Sequence, residues 1–400
     1  MKVCLINSVL TGSTGRIARG TAERLRQRGD MPLVLYGRGE RSLLENEVRF
    51  ERPGEVAMHA ALSRLTDRQG FYSKAATKRL LTAMEAFQPD VIQLHQPHGY
   101  YLHLPTLFDG LRGMGVPVVW TLHDCWTLTG HCAYFDMARC TRWRSGCGDC
   151  PQKTAYPASL FMDQSKRNLA QKQQVFSGVK HMTLVTPSRW LGALVESSYL
   201  GQYPVRVLHN GVNRRVFRPV ESGVRAQYGV GPADRLLLGV ANVWEPRKGL
   251  DALVALAAML PEGYRLAVIG VTAEQQKTLP QGVIGIARTQ NAEELAAWYT
   301  AADVYLNPTE EDNFPTTNLE ALACGTPVVT FDAGGSGEML DESCGRRLPV
   351  GAVDGLLPAV RDCLTLNRAD CVKRAAAFDE EDVNDAYAAL YASVTGGKRA

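Results

Sequence analysis

The segment VYLNPTEEDNFPTTNLEALACGTPVVTFD (Val304–Asp332) opens and closes on short apolar runs, with a polar turn and a helical pattern between them. Thr317 can cap the helix, and Gly325 can end it just before the second apolar run. Two buried strands joined by one helix form a β-α-β unit, in which the strands are parallel. This segment therefore predicts an α/β fold.

The same alternation fills the rest of the chain. The candidate strands are short and apolar: KVCLIN, PLVLYG, VIQLH, PVVWTLH, TLVTPS, VRVLHNG, RLLLGVA, YRLAVIG, GVIGIA, VYLNP and TPVVTFD. Helical patterns such as Gly15–Arg28 and Glu293–Ala301 separate most of them. Strands that are apolar throughout are typical of parallel sheets covered by helices on both faces.

The pattern runs twice along the 400 residues, which predicts two Rossmann-like, doubly wound parallel-sheet domains facing each other across a cleft. We expect an N-terminal domain at 1–205 with a Cys-rich insertion at 130–152, a linker at 206–219, a C-terminal domain at 220–375 and a helix at 376–400 that returns to the N-terminal domain. Ligands of such sheets bind beyond the carboxyl ends of the strands, so functional residues are expected directly after strands.

Charge is distributed unevenly along the chain. Residues 1–200 carry 25 Lys and Arg against 16 Asp and Glu, a net charge of +9, whereas residues 201–400 carry 19 against 25, a net charge of −6. This asymmetry indicates that the first half meets something anionic, and by charge alone a membrane surface, nucleic acid or a phosphorylated substrate qualifies; scattered surface charge is the alternative. We do not expect nucleic acid as a partner.

The chain has no apolar run of the length that spans a bilayer, and MKVCLINSVL at its start is typical of a buried strand rather than a secretory signal. These features predict a cytoplasmic protein, with peripheral contact to the inner face of the cytoplasmic membrane as an option. In that compartment the 10 cysteines are expected to be thiols or metal ligands rather than disulfides.

Two carboxylates bracket the turn of the opening segment. Asp312 and Glu320 stand eight residues apart, on either side of the Phe314-Pro315 turn. Local roles are available to both, because Thr317-x-x-Glu320 fits a capping box and Asp312 can stabilise its own turn.

EDNFPTTNLEALACGTPVV also resembles the acidic signature of retaining glycosyltransferases of the GT-B fold, family-4 type. The resemblance implies that Glu320 bonds the ribose of a nucleotide diphosphate sugar and that Asp312 faces the donor sugar. The family usually has Glu where Asp312 stands, so the adjacent Glu311 shares the catalytic assignment. The turn residues that complete this donor site are Asn313, Phe314 and Pro315.

A basic pair follows another strand in GVANVWEPRKGLDAL. Arg247 and Lys248 lie in a loop between a strand that ends near Asn242 and a helix that begins near Leu250. A strand end beside a helix N-terminus is an anion site, although a solvated basic pair is the alternative. In the family a segment of this kind clamps the donor diphosphate, which implies donor binding by Asn242, Arg247 and Lys248 without a catalytic metal ion.

Other candidate residues are carried by weaker motifs. The turn GSTGRIARG is neither a dinucleotide fingerprint nor a P-loop, and a flexible turn is its plain interpretation. The family has a Gly-rich loop here that touches donor phosphates or acceptor, and it holds the nucleobase near GIARTQN. The resemblance therefore implies donor contacts for Gly12, Ser13, Gly15, Arg16 and Arg288.

Histidines follow two strands of the first half. His123 and Asp124 end VVWTLHDCW, and His95 and His98 follow VIQLH. A histidine at a strand end is often structural. In the family, however, a histidine at the position of His123 lies across the cleft from the donor sugar and bonds its hydroxyls, and we assign His95, His98 and Asp124 to the acceptor side.

Four cysteines lie within nineteen residues of the insertion GHCAYFDMARCTRWRSGCGDC. The spacing of Cys132, Cys140, Cys147 and Cys150 predicts a structural, tetrahedral Zn²⁺ site, in which His131 can replace one thiolate. An iron–sulfur cluster and metal-free thiols are the alternatives. A similar cysteine-bearing loop occurs in glycosyltransferases of the colanic-acid type, which build bacterial surface polysaccharide.

Together these resemblances imply a retaining glycosyltransferase that moves a sugar from a nucleotide diphosphate sugar to a saccharide or lipid-linked saccharide, in bacterial surface polysaccharide synthesis. The rival interpretations are a GT-B-like nucleotide-sugar epimerase, a sugar phosphorylase and a catalytically inactive, zinc-containing interaction protein.

Overall fold

The computed structural model describes residues 1–396. The chain divides into two compact units: Met1–His209 together with the residues from Asn384 onward, and Asn210–Val383. Each unit is an α/β domain built on its own parallel sheet. Within residues 1–396 no helix combines the length and the apolar character needed to cross a membrane.

The first unit contains a seven-stranded sheet in the order β3-β2-β1-β4-β5-β6-β7. All neighbouring strands are parallel; for example, Leu5 pairs with Val34 on one side and with Gln93 on the other. The strands are β1 (Lys2–Asn7), β2 (Met31–Tyr36), β3 (Glu47–Arg49), β4 (Val91–Leu94), β5 (Val118–Thr121), β6 (Met182–Thr186) and β7 (Val205–Val207).

Helices and aromatic side chains cover this sheet. The helices are α1 (Gly12–Gln27), α2 (Glu55–Thr66), α3 (Lys74–Phe87), α4 (Leu104–Met114), α5 (Ser165–Phe176) and α6 (Arg189–Glu196), with short 3-10 turns at Arg142–Arg144 and Tyr199–Gln202. The rings of Phe108, Trp120 and Phe176 contact one another, with centroid distances of 5.4 Å for Phe108–Trp120, 4.7 Å for Phe108–Phe176 and 4.9 Å for Trp120–Phe176. All three are buried, so they fix α4 and α5 against β5.

The second unit has a six-stranded parallel sheet in the order β10-β9-β8-β11-β12-β13. Its strands are β8 (Arg235–Val240), β9 (Tyr264–Ile269), β10 (Ile284–Ile286), β11 (Val304–Asn307), β12 (Val328–Phe331) and β13 (Gly345–Leu348). Its helices are α7 (Val224–Gln227), α8 (Leu250–Met259), α9 (Ala273–Thr278), α10 (Ala292–Ala301), α11 (Thr316–Ala323), α12 (Leu356–Cys363) and α13 (Arg368–Ala376), with 3-10 turns at Pro246–Lys248 and Val353–Gly355.

A last helix, α14 (Glu380–Val394), contributes its residues from Asn384 onward to the first unit. Thr21 in α1 donates a hydrogen bond to the Asn384 side chain at 2.8 Å. Arg24 in α1 pairs with Asp385 at 2.6 Å, and the Tyr387 hydroxyl lies 3.2 Å from that of Thr121. Polar contacts on one face and buried tyrosines therefore hold this part of α14 on the first sheet.

The α/β prediction is confirmed, since each of the eleven predicted apolar runs contains a strand. Two strands were missed. β3 is only three residues long and lies at a sheet edge, and β13 carries Arg346 and Arg347 at the edge of the second sheet. Edge strands need not be apolar on both faces, so the apolar-run criterion does not detect them.

Candidate functional site

The strand order of the second sheet reverses between β8 and β11. Chain connections leave the two strands in opposite directions there, so a crevice opens beyond their carboxyl ends. The loop after β8 carries Arg247 and Lys248, and the loop after β11 carries Glu311 and Asp312. The topology therefore brings the predicted basic and acidic residues to one place.

Main-chain hydrogen bonds join these two loops. The carbonyl oxygen of Arg247 accepts from the Glu310 amide at 2.8 Å and from the Thr309 hydroxyl at 3.1 Å. The Arg247 guanidinium donates to the Glu311 carbonyl at 3.0 Å. The loops thus form one unit, and a displacement of either would move the other.

Gly249 allows this close approach. Its φ of +77° lies in the left-handed region, and a Cβ at this position would stand 2.0 Å from the carbonyl oxygen of Pro308. Both facts require glycine, because a side chain would be strained by the backbone conformation and would push the two loops apart.

Lys248 and Asp312 form an ion pair between the loops that follow β8 and β11. The Lys248 Nζ lies 2.5 Å from the Asp312 Oδ2, and the side chains are 24% and 12% exposed. An ammonium has three N–H donors and a carboxylate has two oxygens, so both groups keep capacity for a ligand. Nearby, Arg247 also pairs with Glu245 at 2.9 Å.

Glu320 lies in α11, buried at 5% exposure. The Tyr299 hydroxyl donates to its Oε2 at 3.1 Å. Burial and the neighbouring carboxylate raise the pKa of Tyr299 well above its ordinary value, so the phenol stays protonated and remains a donor. The capping-box interpretation is wrong, because α11 begins at Thr316 with Pro315 as its N-cap and has no side-chain cap.

A buried amide network that the sequence did not predict lies beside this loop. Asn307, the last residue of β11, donates to the Asn318 side chain at 2.8 Å, and Asn318 donates to the Ser336 carbonyl at 3.0 Å. The Gly335 amide donates to the Asp312 carbonyl at 3.2 Å. A polar residue at the end of a buried strand was the available signal, and the turn DAGGSGE after β12 was another.

The remaining predicted donor residues of this unit are dispersed. Asn242 is exposed in the loop after β8, and Arg288 is exposed just past β10, two strands away from β8. Asn313 and Phe314 are buried, and the Phe314 carbonyl accepts from the Asn210 side chain at 3.1 Å. Asn313 and Phe314 thus accompany Asp312, whereas Arg288 follows β10, three strands along the sheet from β11.

In the first unit the strand order reverses between β1 and β4, and the glycine-rich turn lies beside this point. Gly12 begins α1 with a φ of +71°, and Ser13 and Arg16 are exposed in its first turns. A Cβ on Gly15 would stand 2.4 Å from the Leu10 carbonyl carbon. The first turn of α1 has neither a side-chain cap nor an acidic residue, which suits an anion at its N-terminus.

Histidines from the loops after β4 and β5 meet at the same edge. The Nδ1 of His95 lies 3.1 Å from the Nε2 of His123, and the rings stack at 5.3 Å. Burial lowers the pKa of His123 to about 4 and that of His95 well below its ordinary value. Both imidazoles are therefore neutral near pH 7 and suited to hydrogen bonding rather than to holding charge.

A second polar chain lies beside these rings. The His98 Nε2 lies 2.7 Å from the Asp124 Oδ2, and the His98 Nδ1 lies 3.0 Å from the Tyr156 hydroxyl. Burial raises the pKa of Asp124, but His98 and the Trp126 amide outweigh it and hold that pKa below its ordinary value. His95, His98, His123 and Asp124 line one small pocket. Tyr156 was not identified from the sequence.

Lys172 is a further residue that the sequence analysis missed. It is buried in α5 and donates to the carbonyl oxygens of Trp126 at 2.7 Å and Thr129 at 3.0 Å. Burial lowers its pKa to about 7. These bonds fix the loop that follows Asp124.

The zinc prediction is not supported. Cys132, Cys140, Cys147 and Cys150 do line one small cavity, but residues 1–396 contain no group of three or more His, Cys, Asp or Glu side chains placed to hold a metal ion. His131 is bonded through its Nδ1 to Asp67 at 2.5 Å, and its buried Nε2 has no hydrogen-bond partner within residues 1–396.

Comparison with protein families gives two matches. The description "Glycosyltransferase Family 4" matches residues 14–216, and "Glycosyl transferases group 1" matches residues 234–366. The colanic acid biosynthesis glycosyl transferase WcaC of Escherichia coli (strain K12) is 25% identical over 358 residues, which cover 84% of each chain. A D-inositol 3-phosphate glycosyltransferase of Segniliparus rotundus is 30% identical over 235 residues, 51% of each chain.

Solved structures resemble the whole fold. Sucrose-phosphate synthase from Thermosynechococcus elongatus has a TM-score of 0.72 at 16% identity, covering 99% of this chain and 100% of that one. Anabaena HepE, solved in complex with UDP and glucose, has a TM-score of 0.69 at 17% identity, covering 98% and 100%. These neighbours share the GT-B fold. With a family match over more than half of its length, the chain belongs to glycosyltransferase family 4.

Proposed function

We propose that this glycosyltransferase moves a sugar from a nucleotide diphosphate sugar to a saccharide or lipid-linked saccharide, with retention of anomeric configuration. One observation carries the proposal. The Lys248–Asp312 pair lies where the strand order reverses, so a cation suited to diphosphate touches a carboxylate suited to sugar hydroxyls. The structure of HepE with UDP and glucose supports a donor of this class.

The donor is proposed to lie along the crevice of the second unit. Lys248 and Arg247 bind the diphosphate and stabilise the negative charge that develops as it leaves. Asp312 accepts hydrogen bonds from the transferred sugar, and Glu320 accepts them from the ribose. Asp312 and Glu311 share the assignment of the sugar-facing acid, because the Glu311 side chain is also buried at this point.

The Lys248–Asp312 contact refines these roles. Free Lys248 and Asp312 would each carry an uncompensated charge in a partly buried crevice, and the pair avoids that cost. When a donor binds, the ammonium bridges the carboxylate and a phosphate oxygen. The diphosphate and sugar positions are therefore coupled through one side chain, which orients the anomeric carbon relative to its leaving group.

The first unit is proposed to carry the acceptor. Asp124 holds His98, and the neutral His95 and His123 supply ring nitrogens that donate or accept according to tautomer. We propose that His123 takes part in the reaction by hydrogen bonding and that the departing diphosphate accepts the acceptor proton in a front-face displacement. The turn from Gly12 to Arg16 supplies a further anion site.

We propose that the enzyme acts in bacterial surface polysaccharide synthesis, because WcaC of Escherichia coli, which aligns over 358 residues, is named for colanic acid biosynthesis. A cytoplasmic location with peripheral contact to the membrane suits a lipid-linked acceptor. No catalytic metal ion is required, since Arg247 and Lys248 supply the positive charge for the leaving group.

Thermal-shift titration against UDP-, GDP- and ADP-sugars tests the donor class. A ligand at about 100 times its Kd stabilises the folded state by about 2.7 kcal/mol, so one nucleotide should raise the Tm by several degrees. Glu320→Gln, which we expect to weaken the nucleotide sugar about tenfold, should cut that shift to about half, whereas Glu262→Gln, on an exposed turn of the same unit, should retain it in full. No shift with any nucleotide sugar would contradict the proposal. NMR of the product's anomeric proton then tests retention.

A further inference from the structure

An exposed apolar segment follows the Cys-rich loop of the first unit. Leu160, Phe161 and Met162 are consecutive, and their exposed fractions are 59%, 73% and 44%. Three large apolar side chains in a row on the surface cost solvation free energy unless they have a partner. Neither donor binding nor the proposed chemistry uses them.

Hydrogen bonds hold this segment in a defined conformation. The Leu160 amide donates to the Arg64 carbonyl at 2.8 Å, at the end of α2. The Ser159 amide donates to the Lys153 carbonyl at 2.8 Å, and its hydroxyl donates to the Met162 carbonyl at 2.6 Å. The Ser159 and Leu160 amides and the Met162 carbonyl are therefore bonded within the protein, while the apolar side chains are exposed to solvent.

Helix α2 extends the apolar surface. Met58 and Leu65 are 55% and 47% exposed, and their spacing of seven residues puts them on one face of the helix. Leu65 is adjacent to Arg64, whose carbonyl binds the Leu160 amide. We define the apolar face as Met58, Leu65, Leu160, Phe161 and Met162.

Basic side chains surround the apolar face. Arg64 in α2 is exposed, and Lys166 and Arg167 are exposed in the first turn of α5, directly after the segment. Two acidic groups lie beside them: Asp67 is buried against His131, and Asp163 is an exposed carboxylate that accepts from the Cys150 and Ser165 amides at 2.6 and 2.8 Å. The three cations outnumber the one exposed carboxylate, so the border carries a net positive charge, in keeping with the net charge of +9 in residues 1–200.

We propose that the apolar face docks on an anionic phospholipid bilayer, with its side chains among the headgroups and upper acyl chains and Arg64, Lys166 and Arg167 at the phosphates. Exposed apolar side chains with a basic border are what such an interface requires. An apolar protein surface would match the face but not its positive border, so a second copy of this chain is the less favoured occupant.

This surface is linked to the acceptor pocket. Tyr156, 42% exposed, begins the stretch that leads to Leu160, and its hydroxyl contacts His98 at 3.0 Å. Docking would therefore bring the pocket of His98 and Asp124 to the lipid surface. The inference deepens the proposed function by favouring a lipid-linked acceptor; the membrane contact itself does not depend on that function.

Vesicle co-sedimentation of the full chain tests the proposal. We expect binding to vesicles of phosphatidylcholine mixed with phosphatidylglycerol, weaker binding to phosphatidylcholine alone, and a decline as salt screens the basic border. The double variant Leu160→Ser/Phe161→Ser should weaken binding at least about tenfold, since each buried apolar side chain contributes on that order. Val350→Ser, which removes an exposed apolar residue of the second unit, is the matched control and should bind like the parent protein.

Two further measurements separate the outcomes. Circular dichroism and thermal shift with the nucleotide sugar verify that the double variant is folded and keeps donor binding, so loss of vesicle binding does not merely report loss of the proposed activity. Phe161→Trp should show a blue-shifted emission on vesicles. Three results would overturn the proposal. The parent and the double variant could bind vesicles equally, or the parent could bind neither kind of vesicle. The third is self-association of the parent without vesicles that the double variant abolishes.

Discussion

Replacing Gly249 by alanine adds one methyl group at the closest approach of the two loops in the second unit. The left-handed φ of +77° costs an L-residue about 1–2 kcal/mol. The new Cβ would stand 2.0 Å from the Pro308 carbonyl oxygen, so the loops must separate by about 1 Å before the contact reaches even 3.0 Å. The Glu310–Arg247 hydrogen bond of 2.8 Å would then be stretched beyond a normal length.

The expected consequences are a loss of stability of about 2–3 kcal/mol, from backbone strain and a lost hydrogen bond, and a larger loss of activity. A displacement of about 1 Å at positioning residues can cost about 100-fold in rate, so we expect kcat/KM for the donor to fall by roughly that factor. Steady-state transfer and urea denaturation measure the two effects.

Gly263→Ala is the matched control for this prediction. Gly263 has a φ of +81° in the same unit, but nothing lies within 4 Å of the position that its Cβ would take. It should therefore share the cost of the left-handed backbone, on the order of 1 kcal/mol, without the loss of activity. Equal kcat/KM values for the two variants would refute the argument that contact at Gly249 positions the site.

Two other predictions follow from buried groups. In titration calorimetry, Glu320→Gln should weaken nucleotide-sugar binding at least about tenfold, because it removes a charged acceptor. Tyr299→Phe should weaken binding less, because the Glu320 carboxylate remains. Equal effects of the two variants would contradict the assignment of Glu320 as the ribose acceptor. The pKa of His123 is about 4 in the folded state, below its ordinary value of 6.5. As the pH falls from 6.5 toward 4, the unfolded state therefore binds a proton that the folded state does not, and the urea midpoint should fall across this range. The fall should be smaller in His123→Gln, and identical pH profiles for the two proteins would contradict the pKa assignment.

Much of the fold was predictable because buried parallel strands are apolar along their whole length. β1 was predicted as KVCLIN and spans Lys2–Asn7. The rule failed only where burial on both faces is not required, as at β13, whose GRRL sequence lies at a sheet edge. Strand-end positions similarly located Arg247, Lys248 and Asp312, because parallel strands present their carboxyl ends at one edge.

The partners of these residues were not predictable. Lys248 and Asp312 are 64 residues apart, and their contact depends on the close approach that Gly249 permits. Tyr299 reaches Glu320 from another helix, which no local pattern records.

The zinc prediction for the Cys-rich loop is not supported. Spacing alone suggested four thiolates around zinc, but spacing does not determine whether side chains converge on one point or bond to each other. Within residues 1–396 the four cysteines line one small cavity without forming a group placed to hold a metal ion, and His131 is bonded to Asp67, a residue far away in the sequence.

Lys248 and Asp312 are proposed to bind adjacent parts of one donor, the diphosphate and the sugar. Titration calorimetry tests this claim most directly when the preferred nucleotide sugar is compared with its nucleoside diphosphate. Lys248→Met should weaken both ligands at least about tenfold, because both carry the diphosphate. Asp312→Asn should weaken the nucleotide sugar by a similar factor while leaving nucleoside diphosphate affinity within about threefold. Equal losses for both ligands in Asp312→Asn, or no loss for either ligand in Lys248→Met, would contradict the account.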